Sequence, residues 1–217
     1  MMIWARRSVL SLAAALLVVL GLVAAGPAQE RQRLTDHEAM DYHPVFSPSG
    51  AVILFTSRGE GPAALFRIPV EGGEPARLPL EATGDLYSDW HPDGESLVFD
   101  IREEGGPPDI YRYWFQSREL RRLTEHPGMD GHPSFSPDGE RIVFTSSRGG
   151  SLDLWIMDTA GGGFVQLTEG PEMDWHPAWS PDGGRVVFTS AREEGEGDLW
   201  IVGVDGSGLR RLTSLPG

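Results

Sequence analysis

The chain has no cysteine among its 217 residues. Disulfides and attachment of a lipid through cysteine are therefore excluded, and an exported domain of this composition must be held by its apolar core alone. Lysine is also missing. All 18 basic side chains are arginine, set against 32 Asp and Glu, for a formal charge of −14. A surface this acidic repels phosphate backbones, which excludes nucleic acid as a partner. With 28 Gly and 17 Pro, the arginine-only usage reads as a GC-rich codon bias. No stretch after residue 28 carries the helical 3.6-residue apolar period. No G-x-S-x-G, phosphate loop, zinc-ligand spacing or nucleophile triad is present either.

What is present begins with a leader. Arg6 and Arg7 precede an uncharged apolar run, Val9 to Ala25, followed by small residues and the first acid, Glu30. This is the layout of a secretory signal peptide, with cleavage after Ala25 or Ala28. A retained N-terminal membrane anchor is the other reading, since the run is near the lower limit for a span. The expected organisation is a signal peptide over 1–28 and a single domain over 29–217, placed in the periplasm or secreted. The membrane is a partner only if the segment is retained.

The rest repeats. "DYHPVFSPSGAVILF" starts at Asp41, "DLYSDWHPDGESLVF" at Asp85, "DGHPSFSPDGERIVF" at Asp130 and "DWHPAWSPDGGRVVF" at Asp174. The turn glycines are Gly50, Gly94, Gly139 and Gly183, a period of 44 or 45 residues. Each unit continues into a step such as Asp153-Leu154-Trp155 and closes on a pair such as Gln166-Leu167, mostly followed by Thr. Four in-phase copies make this a unit of architecture. Within the third, "PSFS", "RIVFTS", "LDLWIMD" and "FVQLT" read as strands. Asp-Gly and Gly-rich turns separate them. Four antiparallel strands per unit match one blade of a β-propeller. The units are assigned to 33–78, 79–124, 125–168 and 169–213. Each blade has two apolar faces that only its neighbours can cover. Phe46, Trp90, Phe135 and Trp179, with Phe55, Phe99, Phe144 and Phe188, are therefore expected between blades.

At "FSPDGERIVFTSSRGGSLDLWIMD" followed by "QLT", the sequence resembles the TolB-type (WD40-like) β-propeller repeat family, over about Arg33 to Thr213. The resemblance implies an all-β propeller. It also brings three functional settings: envelope proteins that pair with a peptidoglycan-associated lipoprotein, propellers that gate prolyl-oligopeptidase-type peptidases, and lyases of pectin fragments. Four units fall short of the six or seven usual in the family. A closed four-blade ring, an open arc completed by a second copy, and a piece of a longer protein are all compatible with the count. "RQRLT", Arg31 to Thr35, looks like a spare outer strand. Incompleteness or assembly is favoured over closure, and a homodimer completing the ring is one partner expectation.

Two columns could carry chemistry. Asp41, Asp85, Asp130 and Asp174 form one; His43, Tyr87, His132 and His176 form the other. Crowded near an axis, the carboxylates and imidazoles could hold a calcium or transition-metal ion. The favoured reading is structural: these groups hydrogen-bond loop backbone between blades. Arg58, Arg102, Arg148 and Arg192 are expected to pair across a hairpin with Asp109, Asp153 and Asp198. His91, at a serine place, is expected on the surface. The divergent second unit, with Tyr87-Ser88 for His-Pro, is a place to seek a partner. Together these favour a non-enzymatic exported propeller that binds or scaffolds an envelope protein, with no bound cofactor. The alternatives are a metal-dependent saccharide lyase or hydrolase at the axis, and the propeller part of a peptidase.

Overall fold

The computed structural model describes residues 32–59, 61–80, 86–103, 105–192 and 197–214. The leader and Asp85 lie outside them. Among the described residues, sixteen strands form four antiparallel sheets, each ordered as in sequence. The first sheet is β1 (Met40–Phe46), β2 (Val52–Arg58), β3 (Ala64–Pro69) and β4 (Ala76–Arg77). The second is β5 (Ser88–Trp90), β6 (Ser96–Arg102), β7 (Pro108–Trp114) and β8 (Leu120–Arg122). The third is β9 (Asp130–Phe135), β10 (Arg141–Ser146), β11 (Asp153–Asp158) and β12 (Val165–Gln166). The fourth is β13 (Asp174–Trp179), β14 (Arg185–Ser190), β15 (Asp198–Gly203) and β16 (Arg210–Arg211). Each sheet is one blade, and the chain is an all-β four-bladed propeller. The described residues include no helix long and apolar enough to cross a membrane.

The hairpin between the first two strands of each blade is set by its glycine, which holds φ between +68° and +74° in all four copies. A side chain is strained there, so glycine recurs. Second and third strands pair residue for residue, as in Phe144 opposite Trp155. The outer strands are only two or three residues long.

Alternation along each strand sends side chains to opposite faces, and these faces build the joints. Leu54, Leu65 and Leu78 of the first blade pack with Trp90, Leu97, Phe99 and Tyr113 of the second. Val98, Ile110 and Leu123 meet Phe135, Ile142, Phe144 and Met157 across the next joint. Val143, Leu154 and Leu167 meet Val186, Phe188 and Val202 across the third. Burying one such aromatic ring stabilises by about 2–3 kcal/mol.

The inner strands pack in series, β1 on β5, β5 on β9 and β9 on β13. Among the described residues no comparable packing joins β13 to β1. The aromatic expectation holds for Trp90, Phe99, Phe135, Phe144 and Phe188, which are buried in joints, and for Trp179, which is partly buried in one; Phe55 is buried only against its own blade and Leu34. Phe46 departs from it and is 60% exposed, because among the described residues no other blade packs on that face of the first.

Candidate functional site

The axis is where the inner strands converge, and a local backbone device aims side chains into it. In three blades the inner strand carries a bulge: pairing shifts between Tyr42 and Val45, opposite Val143 and Thr145, and between Trp175 and Ala178. The histidine of each His-Pro sits in that bulge with φ of 52°, 53° and 53° at His43, His132 and His176. Left-handed backbone is uncommon outside glycine, and a bulge is the usual way to re-aim one side chain out of a pleat. The following proline cannot donate to the ladder and fits the interrupted pairing. In the second blade Leu86 takes the positive φ, 39°, and Tyr87-Ser88 replace His-Pro.

The four rings meet. His43 stacks on Tyr87 at 3.8 Å between centroids, and Tyr87 lies 4.2 Å from His132 and 5.3 Å from His176. His132 and His176 are 4.3 Å apart, edge to face. His176 Nε2 is 3.3 Å from the Tyr87 hydroxyl, and His132 Nδ1 is 3.4 Å from Thr145 Oγ1. Burial, then the neighbouring His176 and His43, push the His132 imidazole down to about 3. Burial and His43 also lower His176. Both are therefore neutral at ordinary pH.

A cavity of about 490 Å³ opens over this stack, lined by the histidines, their prolines, Tyr87, Ser88, Asp89 and Ser134. Asp89 stands where the other blades have Val45, Ser134 and Ala178, so it is the one carboxylate at that repeat position. Its Oδ2 accepts from Ser134 Oγ at 3.0 Å and from the Phe135 amide at 2.9 Å, bridging blades two and three. Burial raises its pKa against these hydrogen bonds. The sequence reading missed Asp89. Its one signal was an acid at a place otherwise small or apolar.

The aspartate column does a different job. Asp130 is fully buried; its carboxylate accepts from Ser146 Oγ at 2.5 Å and from Arg148 Nη2 at 2.7 Å. Asp174 repeats this with Ser190 at 2.6 Å and Arg192 at 2.5 Å. Asp41 lies 3.4 Å from His37 Nε2. Among the described residues no three His, Asp or Glu converge as a metal ion would require, so no step is built on one.

The arginine expectation is corrected here. Arg148 and Arg192 clasp the inner-strand aspartates of their own blades. Of the third-strand aspartates, Asp109 pairs with outer-strand Arg122 at 2.5 Å and Asp198 with Arg211, while Asp153 accepts from Ser151 at 2.6 Å and from Gln166 at 3.3 Å. The Thr of the closing motif completes that corner. Thr124 Oγ1 accepts the Ile110 amide at 2.9 Å, and Thr213 Oγ1 accepts that of Leu199 at 2.9 Å. A two-residue outer strand cannot satisfy the third strand alone, and the threonine supplies the missing acceptor. His91 also departs from expectation. Its Nε2 is 3.0 Å from the Gly139 carbonyl of the next blade, and its ring meets Phe135 edge-on at 4.9 Å. A Cβ at Gly139 would come within 2.6 Å of that nitrogen.

A sequence profile of the TolB beta propeller domain matches residues 86–168 and 104–216, together more than half of the chain. The Tol-Pal system protein TolB of Anaeromyxobacter dehalogenans is 41% identical over 107 residues, which are 49% of this chain and 24% of that protein. The match thus spans about a quarter of that relative's length. The solved structure of a TolB-like protein from Agrobacterium tumefaciens superposes with a TM-score of 0.70 at 29% identity, covering 76% of this chain and 62% of that one. An oligogalacturonate lyase in complex with manganese shares the fold at a TM-score of 0.60 and 19% identity, over 85% of this chain and 56% of that one.

Proposed function

Because the chain belongs to the TolB beta propeller domain family, we propose that it is a non-enzymatic protein-binding module of the cell envelope, exported to the periplasm or beyond. Its recognition surface is the axial cavity. The observation that carries this reading is the state of the axial groups. A general base works best with a pKa near the operating pH, whereas His132 is held near 3. Asp89 is committed to Ser134 and Phe135, and the rings of Tyr87 and the histidines pack against one another. Neutral imidazoles, a phenol and prolines suit an extended peptide segment with amide and aromatic groups. Its sequence neighbours should be neutral or basic, given the acidic surface.

The test uses the immobilised full chain and an envelope extract, in parallel with Tyr87→Ala and His176→Ala. One retained protein should be lost in both variants. Retention unaffected by either change would remove the axial cavity from the reading. Turnover of oligogalacturonate on adding manganese would replace the reading with the enzymatic one.

A further inference from the structure

The first and last blades present the two halves of a joint that the chain makes three times internally. In every internal joint the trailing face of one blade offers an apolar side chain from its second strand, one from its third and one from the residue just after its outer strand. All nine are buried: Leu54, Leu65 and Leu78; Val98, Ile110 and Leu123; Val143, Leu154 and Leu167. The fourth blade keeps the same chemistry with Val187, Leu199 and Leu212, yet Leu199 is 45% and Leu212 43% exposed.

The opposite half lies on the first blade. Phe46 is exposed where Trp90 and Phe135 are buried. Beside it opens an apolar cavity of about 370 Å³, walled by Val45, Phe46, Ile53, Phe55 and Ile68 and by Leu34. Leu34 packs on Ile53, Phe55 and Ile68, the slot that Leu123 and Leu167 fill in later joints. The slots for the second- and third-strand side chains stay open. One polar atom in this region, Tyr42 Oη, is buried with no hydrogen-bond partner among the described residues. Buried polar groups normally find one, so an incoming surface is expected to supply it.

We infer that a second copy of this chain fills that cavity, the trailing face of its fourth blade docking on the leading face of the first. Two such joints close a two-copy ring. Within the chain like trailing faces mate with like leading faces three times, and the same complementarity serves between two copies. It extends to polar groups. Thr56 Oγ1 donates to the Leu86 carbonyl across the first joint at 2.9 Å. Its equivalent on the fourth blade, Thr189, is partly exposed and would meet the carbonyl of Tyr42, the Leu86 equivalent. Leu34 lies outside any sheet and gives up its slot to the incoming Leu212. A head-to-tail contact closes only if its rotation allows, and eight blades are within the range that propellers form. This inference is independent of the axial site.

The test is the protein mass of the full chain in mild detergent, by light scattering over a concentration series. A particle of twice 23.7 kDa is expected. Phe46→Asp and Leu199→Asp should each weaken it at least tenfold. Both positions are exposed, so circular dichroism should report the wild-type fold. If either variant fails to fold, serine at the same position gives the same comparison. Mixing the two variants should restore the dimer, because one joint then has wild-type residues on both sides. A wild-type monomer throughout, dissociation by only one variant, or no recovery on mixing would each overturn the inference.

Discussion

Acid should unfold this propeller from its axis, through one residue. His132 is packed against Tyr87 ahead of β5, Thr145 from β10 and His176 from β13, with His43 of β1 near enough to disfavour its charge, and its amide donates to Asp100 of β6. In the folded chain its imidazole titrates at about 3, and in the unfolded chain at its ordinary 6.5. The folded pKa is depressed, so the unfolded state binds the extra proton between these values. Stability is whole above 6.5 and falls as pH drops toward 3. Each pH unit inside that window costs about 1.4 kcal/mol, which gives about 2 kcal/mol between pH 7.5 and pH 5. A loss of that size is a substantial part of the 5–15 kcal/mol usual for a domain, roughly speaking. The assay is urea unfolding at a series of pH values, for the wild type and for His132→Gln. The wild-type midpoint should fall steeply below pH 6.5, and the variant should lose most of that slope. An equal slope in both proteins would refute the reasoning and move the acid sensitivity to the carboxylates.

Three further outcomes follow from the geometry. Arg148→Ala strands the fully buried carboxylate of Asp130 and should cost about 3–5 kcal/mol, read as a lower thermal midpoint. Phe144→Ala empties a fully buried site in the second joint and should cost about 3–5 kcal/mol by denaturant unfolding. The exposed contrast is Phe46→Ala, which should cost under about 1 kcal/mol in the dissociated chain. His91→Ala removes a contact to the Gly139 carbonyl and an edge-on ring contact with Phe135. It should cost about 1–2 kcal/mol in the same assay.

The propeller was legible because each unit repeats its turn glycine, its apolar alternation and its closing Leu in phase, and repetition turns weak local signals into a strong one. The exposure of Phe46 was not legible at that level. Periodicity assigns a residue to a face, while burial depends on whether another face arrives. The arginine pairing went astray for a related reason. Spacing along the chain suggested the next aspartate. The ladder instead places Arg148 beside Asp130 through the opposite pairing of β10 with β9. His43, His132 and His176 were readable as an axial column, since identical offsets put them at the same height. Their ring contacts, and the lowered pKa of His132 and His176, were not, because these arise from packing among several blades. Asp89 escaped notice because it breaks the column pattern, and reading by repeats favours what recurs. His91 was misplaced on the surface for the same cause: its partner, the Gly139 carbonyl, belongs to a different unit.

The Asp–Ser–Arg clasp of the third and fourth blades and the Asp–Arg–Thr corner of the second and fourth keep those charged groups within a single blade. What a blade hands to the next is therefore mainly hydrocarbon, the same few side chains each time. Nearest-neighbour stacking of this kind makes a unit interchangeable. A 44-residue segment can be gained, lost or borrowed from another polypeptide without rewriting the electrostatics of those that remain, so the number of blades is free to vary while the grammar of the joint stays constant.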